Sequence, residues 1–240
     1  MAAVSVAAVL TPLKRPARAL IVVSVRAWCR VRVTGLEHVP RQGPVLLASN
    51  HQSFIDSVVI PVVVPRRVRF LAKDDYFTGT GARGWFNRTF FTVTGAVGVP
   101  RGAHADAKAS LDVARGVLAA GDAFGIYPEG TRSRDGRLYR GRTGVAWLAL
   151  TTGAPVVPVG LIGTDRAQPV GSKVLHPHQV TVRFAPALHP ADYAHLPTVG
   201  QRRRAMTDDV MDAIAALTGQ ERAPRYAELP ASALPAPPTG

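Results

Sequence analysis

Residues 45–56 read Val45-Leu46-Leu47-Ala48-Ser49-Asn50-His51-Gln52-Ser53-Phe54-Ile55-Asp56. The apolar run at 45–48 is typical of a buried strand, and polar side chains follow it without a gap. In open α/β sheets, ligands bind in the crevice beyond the carboxyl ends of the strands. The position of this polar segment therefore favours a functional site at the end of the strand.

A second segment further along the chain repeats this arrangement. A strand is predicted at 123–127, and the residues that follow it are Pro128-Glu129-Gly130-Thr131-Arg132. Parallel strands of one sheet end at the same edge, so we expect the two polar segments to lie close together there. Together they predict one active site.

The other strands are predicted at 67–71, 96–99, 155–160 and 179–184, where β-branched runs are bounded by Gly, Pro or charged residues. Helical patterns at 104–120 and 143–152 alternate with these strands, and a loop followed by a short aromatic helix is predicted at 78–95. A helical stripe formed by Met206, Val210, Met211, Ile214 and Leu217 is predicted to pack in the core. The pattern predicts an α/β fold in a single domain, with a largely parallel or mixed central sheet and helices on both faces.

The two ends of the chain differ from this central domain, which we place at 34–220. The segment at 1–33 is predicted to be helical and to associate with a membrane surface, because apolar residues and Trp28 alternate there with arginines. Its first apolar stretch is shorter than the roughly 20 residues that a spanning helix needs. Simple packing of this helix on the domain stays open as the alternative. The Pro- and Ala-rich residues 221–240 predict a flexible tail.

The chain is strongly basic, with a formal net charge of +13. This surplus favours an anionic partner, whether nucleic acid, an anionic membrane surface or a phosphorylated small molecule. The single cysteine, Cys29, excludes an intramolecular disulfide and a cysteine-based zinc site, and it fits a reducing environment. The histidines show no metal-binding spacing, so no metal site is predicted.

His51 and Asp56 are the predicted catalytic pair. An imidazole can remove the proton from an attacking alcohol, and a carboxylate on the other ring nitrogen fixes the tautomer. The Ser53-to-Asp56 spacing predicts a capping box that begins a helix at Ser53 and leaves His51 in the loop before it. Backbone N–H groups at the start of this helix are candidate donors to an oxyanion. One alternative is that Asp56 only caps the helix. The other is a hydrolase with Ser49 or Ser53 as its nucleophile, and it is disfavoured because neither serine lies in the G-x-S-x-G elbow of such enzymes.

The second segment is rich in arginine. The cluster consists of Arg132, Arg134, Arg137, Arg140 and Arg142. The planar guanidinium pairs with phosphate oxygens two at a time, so these residues predict a phosphate-bearing substrate. Arg101, which follows the strand at 96–99, is expected to point into the same crevice. The alternative for each arginine is a solvated surface charge.

The sequence resembles the glycerophospholipid acyltransferase family over roughly residues 30–170. Four blocks occur in the family's order: Asn50 to Asp56, which carries the HxxxxD motif; Gly98 to Arg101; Tyr127 to Ser133; and Ala154 to Val159. Tyr127 stands where many relatives have Phe, and the residue before Arg101 is Pro100 where many have an acidic residue. These departures leave the predicted chemistry intact, but they mean that the resemblance does not fix the identity of the acceptor.

The resemblance implies an O-acyltransferase similar to 1-acylglycerol-3-phosphate acyltransferase. Such an enzyme moves a fatty acyl group from a thioester of coenzyme A or acyl carrier protein to the hydroxyl of a lysophospholipid, without a covalent acyl-enzyme and without a further cofactor. His51 would be the general base and Asp56 its orienting partner. The acceptor would be held by Arg101, Glu129, Gly130, Thr131 and Arg132. The resemblance also implies that the N-terminal helices associate with the membrane. Together with the reducing environment that the single cysteine favours, this predicts a peripheral location at the cytoplasmic face of the cell membrane.

Three alternatives to this function differ in how well they fit the sequence. The acceptor could instead be glycerol 3-phosphate, another lysophospholipid or a lyso-aminolipid. A non-catalytic protein that binds anionic membranes would explain the charge but not the His51 and Asp56 pair. A nucleic-acid partner is not expected, because the sequence has no RNA-recognition aromatic signature, zinc finger or clear helix-turn-helix.

Overall fold

The computed structural model describes residues 19–73, 80–81, 84, 95–99, 107–172 and 174–228. Within these ranges the strands are β1 Arg32–Thr34, β2 Val45–Ser49, β3 Val68–Lys73, β4 Ala96–Val99, β5 Ala123–Ile126, β6 Val156–Ile162 and β7 Thr181–Phe184. They form one sheet in the order β1-β7-β6-β2-β5-β3-β4. Neighbouring strands are parallel except β6 and β7, which are antiparallel. The predicted mixed sheet is confirmed.

The helices of the described residues are α1 at 19–28, α2 Asp56–Val63, α3 Ala107–Ala119, α4 Gly144–Thr152, α5 Thr164–Ala167 and α6 Val199–Thr218. Short 3-10 helices occur at Leu36–His38 and Pro190–Tyr193. The structure confirms helices within the predicted ranges 104–120 and 143–152 and at the C-terminal stripe. In α6, the stripe residues Met206, Val210, Met211 and Ile214 are buried as expected.

Strand β2 lies at the centre of the sheet and shows how the two faces are covered. Val45 and Leu47 belong to one buried cluster, which also contains residues of α2, while Leu46 and Ala48 belong to a second cluster with residues of α3, α4 and α6. Successive side chains of a strand point to opposite faces, so each face needs its own helical cover. This two-sided burial explains why the strand has no polar alternation.

The N-terminal helix ends earlier than the predicted segment at 1–33. Helix α1 ends at 28, and Arg32–Thr34 form the edge strand β1, which pairs in parallel with β7. Only three residues form this strand, and so short a sequence carries too weak a pattern to predict it. Residues 1–18 lie outside the described residues, so the prediction for them stays a prediction.

Helix α1 combines features of both alternatives that the sequence left open. Its side chains Ile21, Val22 and Val25 pack against the core, whereas Leu20 and Val23 are 68% and 64% exposed. Among the helices of the described residues, none has the length and apolar character that crossing a membrane requires.

The predicted flexible tail differs from the structure over 221–228. The N–H of Leu138 donates to the carbonyl of Glu221 at 2.9 Å, and the N–H of Ala223 donates to the carbonyl of Leu138 at 2.8 Å. Ala223 is buried. These contacts attach the segment to the arginine-rich loop, although its composition alone predicts no packing. The tail prediction for 229–240, and most of the prediction at 78–95, lie outside the described residues.

Candidate active site

His51 and Asp56 lie together just beyond the carboxyl end of β2. His51 Nδ1 is 2.8 Å from Asp56 Oδ2, and Asp56 is fully buried while the His51 side chain is 16% exposed. Within the described residues, no hydrogen bond engages His51 Nε2. The predicted pair therefore has the required geometry, with one ring nitrogen on the carboxylate and the other available to a substrate.

The Asp56 carboxylate also organises the loop between the two residues. Its Oδ2 atom accepts the N–H groups of Gln52 and Ser53, each at 2.8 Å. Two backbone N–H donors on Oδ2 favour the carboxylate form of Asp56, which can only accept hydrogen bonds, so the hydrogen between Asp56 and His51 is assigned to Nδ1. The neutral imidazole then carries its free lone pair on Nε2, as a general base needs.

Helix α2 begins at Asp56, and the prediction of a start at Ser53 is wrong. Half of the predicted capping box forms, because Asp56 accepts the Ser53 N–H, but the Ser53 hydroxyl donates to the carbonyl of Gln168 at 2.7 Å. The amides of Gln52 and Ser53 are therefore committed to Asp56. These two amides are not available to an oxyanion, and the prediction of donors at the start of the helix stays a prediction for the residues that follow.

Glu129 lies inside the protein and connects the two predicted segments. One carboxylate oxygen accepts the N–H of His51 at 3.1 Å, and the other accepts the N–H of Tyr139 at 2.9 Å. The N–H of Ser133 in turn donates to the carbonyl of His51 at 2.7 Å. Both backbone groups of His51 are thus held by the second segment. Glu129 is fully buried, so it supports the site from within, whereas the resemblance implied contact with the acceptor.

Burial also changes the ionisation of Glu129. Desolvation raises its pKa from 4.5 to about 7, although hydrogen bonds from the backbone of Tyr139 and His51 act in the opposite direction. The carboxyl group therefore titrates near neutral pH. Its protonation would weaken one of the two contacts that hold the neighbouring backbone.

Tyr127 covers one face of the His51 ring. The ring centroids are 3.8 Å apart and the planes differ by 8°, so the rings are stacked. The Tyr127 hydroxyl is 2.7 Å from the hydroxyl of Ser57, in the first turn of α2. Burial raises the pKa of Tyr127 well above its usual value, with the nearby Asp56 acting in the same direction. The phenol therefore stays neutral.

The serines near His51 do not have the position of a nucleophile. The Ser49 hydroxyl is buried and donates to the carbonyl of Asn50 at 2.9 Å, and Ser53 is engaged by Gln168. This arrangement disfavours the hydrolase alternative. Asn50 instead has a structural role, because its amide donates to the Leu161 carbonyl at 2.9 Å and accepts the Leu161 N–H at 2.8 Å, which ties β2 to β6.

Three members of the arginine cluster have a charged or aromatic partner, and two have no carboxylate partner. Arg137 pairs with Asp135 at 2.7 Å, and the guanidinium groups of Arg140 and Arg142 lie 5.3 and 5.4 Å from the ring centre of Tyr226. Arg132 and Arg134 are exposed, and within the described part of the chain no carboxylate pairs with either. The prediction of a phosphate-binding cluster stays a prediction, and Arg132 and Arg134 are its two members closest in sequence to Glu129.

The remaining predicted residues have simpler positions. Gly130 is exposed at the turn, with a φ of 80°, and its N–H donates to the carbonyl of Tyr127 at 3.0 Å. Thr131 is half-buried next to it. Arg101 lies outside the described residues. Among the described residues, no group of three or more His, Cys, Asp or Glu side chains is placed to hold a metal ion.

Sequence reasoning missed the supporting side chains of the site. Ser57 lies one residue after Asp56 and carries no motif, and Gln168 and Gln220 are far away in the chain. The Gln220 side chain accepts from the Asn50 amide at 2.9 Å and donates to the carbonyl of Gly136 at 2.7 Å. Tyr127 had a signal, since it differs from the Phe common in the family.

Comparisons with known proteins identify the family and the fold. The model of the acyltransferase family matches residues 30–162. The chain is 29% identical over 198 residues to the chloroplastic 1-acyl-sn-glycerol-3-phosphate acyltransferase BAT2 of Brassica napus, which covers 80% of this chain and 52% of that protein. It is 32% identical over 169 residues to a 1-acyl-sn-glycerol-3-phosphate acyltransferase of Chlamydomonas reinhardtii, which covers 70% of this chain and 49% of that protein.

A solved structure shares the fold. The 1-acyl-sn-glycerophosphate acyltransferase PlsC from Thermotoga maritima superposes with a TM-score of 0.61 at 22% identity, over 85% of this chain and 82% of that one. The curated relatives are longer, and the chain spans about half the length of those two plant and algal proteins.

Proposed function

Since the chain belongs to the acyltransferase family, we propose that it transfers a fatty acyl group from a thioester to the hydroxyl of a lysophospholipid. The donor is acyl-coenzyme A or acyl-acyl carrier protein. The proposed acceptor is 1-acylglycerol 3-phosphate, which would give phosphatidic acid. The names of the relatives support this acceptor, since they describe those proteins as 1-acyl-sn-glycerol-3-phosphate acyltransferases.

One observation carries the proposal: a buried carboxylate holds the imidazole of His51 at the edge of the sheet where substrates bind. The distance of 2.8 Å between His51 Nδ1 and Asp56 Oδ2 fixes the neutral tautomer. A protein that only bound lipid or nucleic acid would gain nothing from this pair. An imidazole so arranged can accept a proton at Nε2 while the carboxylate stabilises the imidazolium that forms.

The proposed reaction is a direct transfer. His51 Nε2 takes the proton of the acceptor hydroxyl as its oxygen attacks the thioester carbonyl. The tetrahedral intermediate collapses by breaking the carbon–sulfur bond, and the departing thiolate receives the proton from His51. Asp56 remains a carboxylate throughout, because three donors converge on Oδ2. The engaged hydroxyls of Ser49 and Ser53 support a mechanism without an acyl-enzyme.

The acceptor's phosphate is proposed to bind at Arg132. This guanidinium is exposed, and it lies one residue before Ser133, whose N–H contacts the His51 carbonyl at 2.7 Å. A charge-assisted pair with phosphate would bring the acceptor hydroxyl near the general base. Arg101, Gly130 and Thr131 remain proposed contacts of the same substrate, and Glu129 is proposed to hold the loop that presents them.

We further propose that the protein works at the surface of an anionic membrane, on the cytoplasmic side. Helix α1 exposes Leu20, Val23 and Trp28 beside the exposed Arg26 and Arg30. Such a combination of apolar and basic side chains suits the interface between acyl chains and headgroups. Both the acceptor and the product would reside in that membrane.

The proposed function is tested by incubating the purified full chain with palmitoyl-coenzyme A and vesicles that contain lysophosphatidic acid. Release of free thiol is followed with a colorimetric reagent, and the lipid product is identified by mass spectrometry. Parallel reactions with glycerol 3-phosphate, lysophosphatidylglycerol and a lyso-aminolipid rank the acceptors. We expect thiol release that depends on lysophosphatidic acid and yields one phosphatidic acid per thiol.

Two results would contradict this function. Thiol release that is independent of any acceptor, with free fatty acid as the product, would indicate a thioester hydrolase. Absence of transfer with every acceptor and with both types of donor, together with salt-sensitive binding to oligonucleotides, would indicate a nucleic-acid-binding protein.

A further inference from the structure

The stacking of Tyr127 on His51 is not needed to explain the tautomer of the imidazole. Asp56 already fixes the tautomer through a single contact on Nδ1. That contact leaves the ring free to tilt about the hydrogen bond, because the terminal torsion of a histidine side chain is broad. A general base must instead be held so that Nε2 points at the reacting hydroxyl. A second restraint on the ring is therefore required.

Tyr127 has the geometry of that restraint. Its ring lies parallel to the imidazole within 8° at a centroid separation of 3.8 Å, so it covers a whole face and opposes tilting. The negative face of an aromatic ring also attracts a cation, so the stack stabilises the imidazolium that forms when His51 takes a proton. The restraint is thus compatible with both protonation states of the base.

Tyr127 is itself fixed from two sides. Its hydroxyl is 2.7 Å from Ser57, and Phe70 of β3 stacks on it with centroids 5.6 Å apart. Phe70 occupies the space above Gly125, where an added Cβ would lie 1.9 Å from the phenylalanine ring. The stack of Phe70 on Tyr127 therefore requires glycine at residue 125 of β5.

Both restraints on His51 depend on residues in the first turn of α2. Asp56 contacts the imidazole directly, and Ser57, the next residue, contacts it through Tyr127. The first turn of α2 consequently sets the position and the tilt of the ring together. Phenylalanine at residue 127 would keep the stack but could not form the contact with Ser57.

We propose that Tyr127 is a positioning residue for the general base, which acts through its stack on His51 and its hydroxyl contact with Ser57. This inference rests on the proposed role of His51 in acyl transfer. It adds a residue that matters for turnover and not for the affinity of either substrate, because Tyr127 acts on the substrates only through the imidazole.

The test compares Tyr127→Leu, Tyr127→Phe, Ser57→Ala and the Tyr127→Phe/Ser57→Ala double variant. Tyr127→Leu removes the stack and should lower kcat by about 10- to 100-fold with unchanged KM for donor and acceptor. Tyr127→Phe keeps the stack, so its kcat should be well above that of Tyr127→Leu and only about two- to tenfold below that of the wild type. Ser57→Ala should have the same kcat as Tyr127→Phe. The double variant should be no slower than either, since both changes remove the same contact.

The matched control is Tyr193→Phe. Tyr193 is also buried, and its hydroxyl donates to Asp209 at 2.7 Å, a contact of the same length in another part of the molecule. This control should leave kcat unchanged. Any general cost of removing a buried tyrosine hydroxyl would appear in it as well.

A second readout does not depend on activity. A stacked aromatic ring shifts the ring protons of His51 upfield in the NMR spectrum, and the signal is assigned by its disappearance in His51→Asn. We expect this shift in the wild type and in Tyr127→Phe, and its loss in Tyr127→Leu.

Two outcomes would overturn the inference alone: a wild type that transfers acyl groups but shows no upfield shift, or a Tyr127→Leu variant that loses the shift and keeps its kcat. A wild type that shows the shift and transfers no acyl group to any acceptor would overturn the proposed function, and this inference with it.

Discussion

The loop that carries His51 and the loop that carries Arg132 touch each other, yet the protein restrains them very differently. The backbone N–H and carbonyl of His51 are both hydrogen-bonded, and its ring is held by Asp56 and Tyr127. Arg132, by contrast, is exposed, and within the described residues no carboxylate pairs with it. The group proposed to move a proton is fixed before substrate arrives, and the group proposed to bind charge is left free to adapt.

This difference follows from what each task needs. A proton transfer loses efficiency quickly when the donor and the acceptor are misaligned, so a fixed base avoids reorganisation during the reaction. Attraction of a phosphate depends on charge over a longer range and tolerates side-chain motion. Changes in the His51 loop should therefore affect kcat, and changes in the arginine loop should affect KM.

The largest effect is expected from His51→Ala. Loss of the general base should lower kcat by about 10²- to 10⁴-fold, while KM for the lysophospholipid stays close to the wild-type value. Steady-state kinetics of thiol release measure both constants, and thermal unfolding verifies the fold. His195→Ala, a change at an exposed histidine, provides the control. A folded His51→Ala protein with near-normal turnover would remove the catalytic assignment.

Asp56→Asn should have the next largest effect. The amide cannot accept from the imidazole and from the amides of Gln52 and Ser53 as the carboxylate oxygen does, so the ring loses its preferred tautomer. We expect kcat to fall by about 10²- to 10³-fold without a change in KM. The rate is measured in the same assay against Asp209→Asn, which alters a carboxylate on the distant helix α6. Equal rates in the two variants would mean that Asp56 does not orient the base.

A smaller effect, on stability, is expected at Glu129. Its pKa rises from 4.5 to about 7 on folding, so the folded protein binds more protons than the unfolded chain between these values. The free energy of unfolding should therefore fall as the pH rises through this window. The contribution is at most about 3.5 kcal/mol, at about 1.4 kcal/mol per unit of pKa shift.

Glu129→Gln removes this titration. Relative to Glu129→Gln, the wild type should lose stability from pH 5 to pH 7, as measured by the free energy of unfolding of both proteins in urea. Glu37→Gln, a change at an exposed glutamate, should leave the pH dependence as it is. A parallel pair of curves for the wild type and Glu129→Gln would show that this carboxyl group does not titrate in the window.

The same two loops show what the sequence can and cannot predict. The strand runs and the polar residues after them predicted the location of His51, Asp56 and the Glu129 segment, because burial of a central strand leaves a clear apolar pattern. The role of Glu129 was not predictable from its motif, since a carboxylate next to Gly130 and Arg132 has the same sequence whether it faces substrate or holds backbone amides. Only the fold shows that it is buried.

Contacts over long sequence separations account for the other differences. Helix α2 begins at Asp56 because the Ser53 hydroxyl binds Gln168, and Arg140 is engaged because Tyr226 packs beside it. Neither partner has a motif of its own. The edge strand Arg32–Thr34 was missed because three residues carry too short a pattern.

The smallest effect is expected from Arg132→Ala, and it sharpens the contrast between the loops most directly. Deletion of a charge-assisted contact with phosphate should raise the acceptor KM by about tenfold and leave kcat and the donor KM nearly unchanged. Arg137→Ala is the matched control, because this guanidinium lies in the same loop but already pairs with Asp135 at 2.7 Å. If both variants raise the acceptor KM equally, the phosphate responds to the summed charge of the loop. If only Arg132→Ala does so, the exposed guanidinium of Arg132 binds the phosphate directly, and the summed charge of the loop does not account for the affinity.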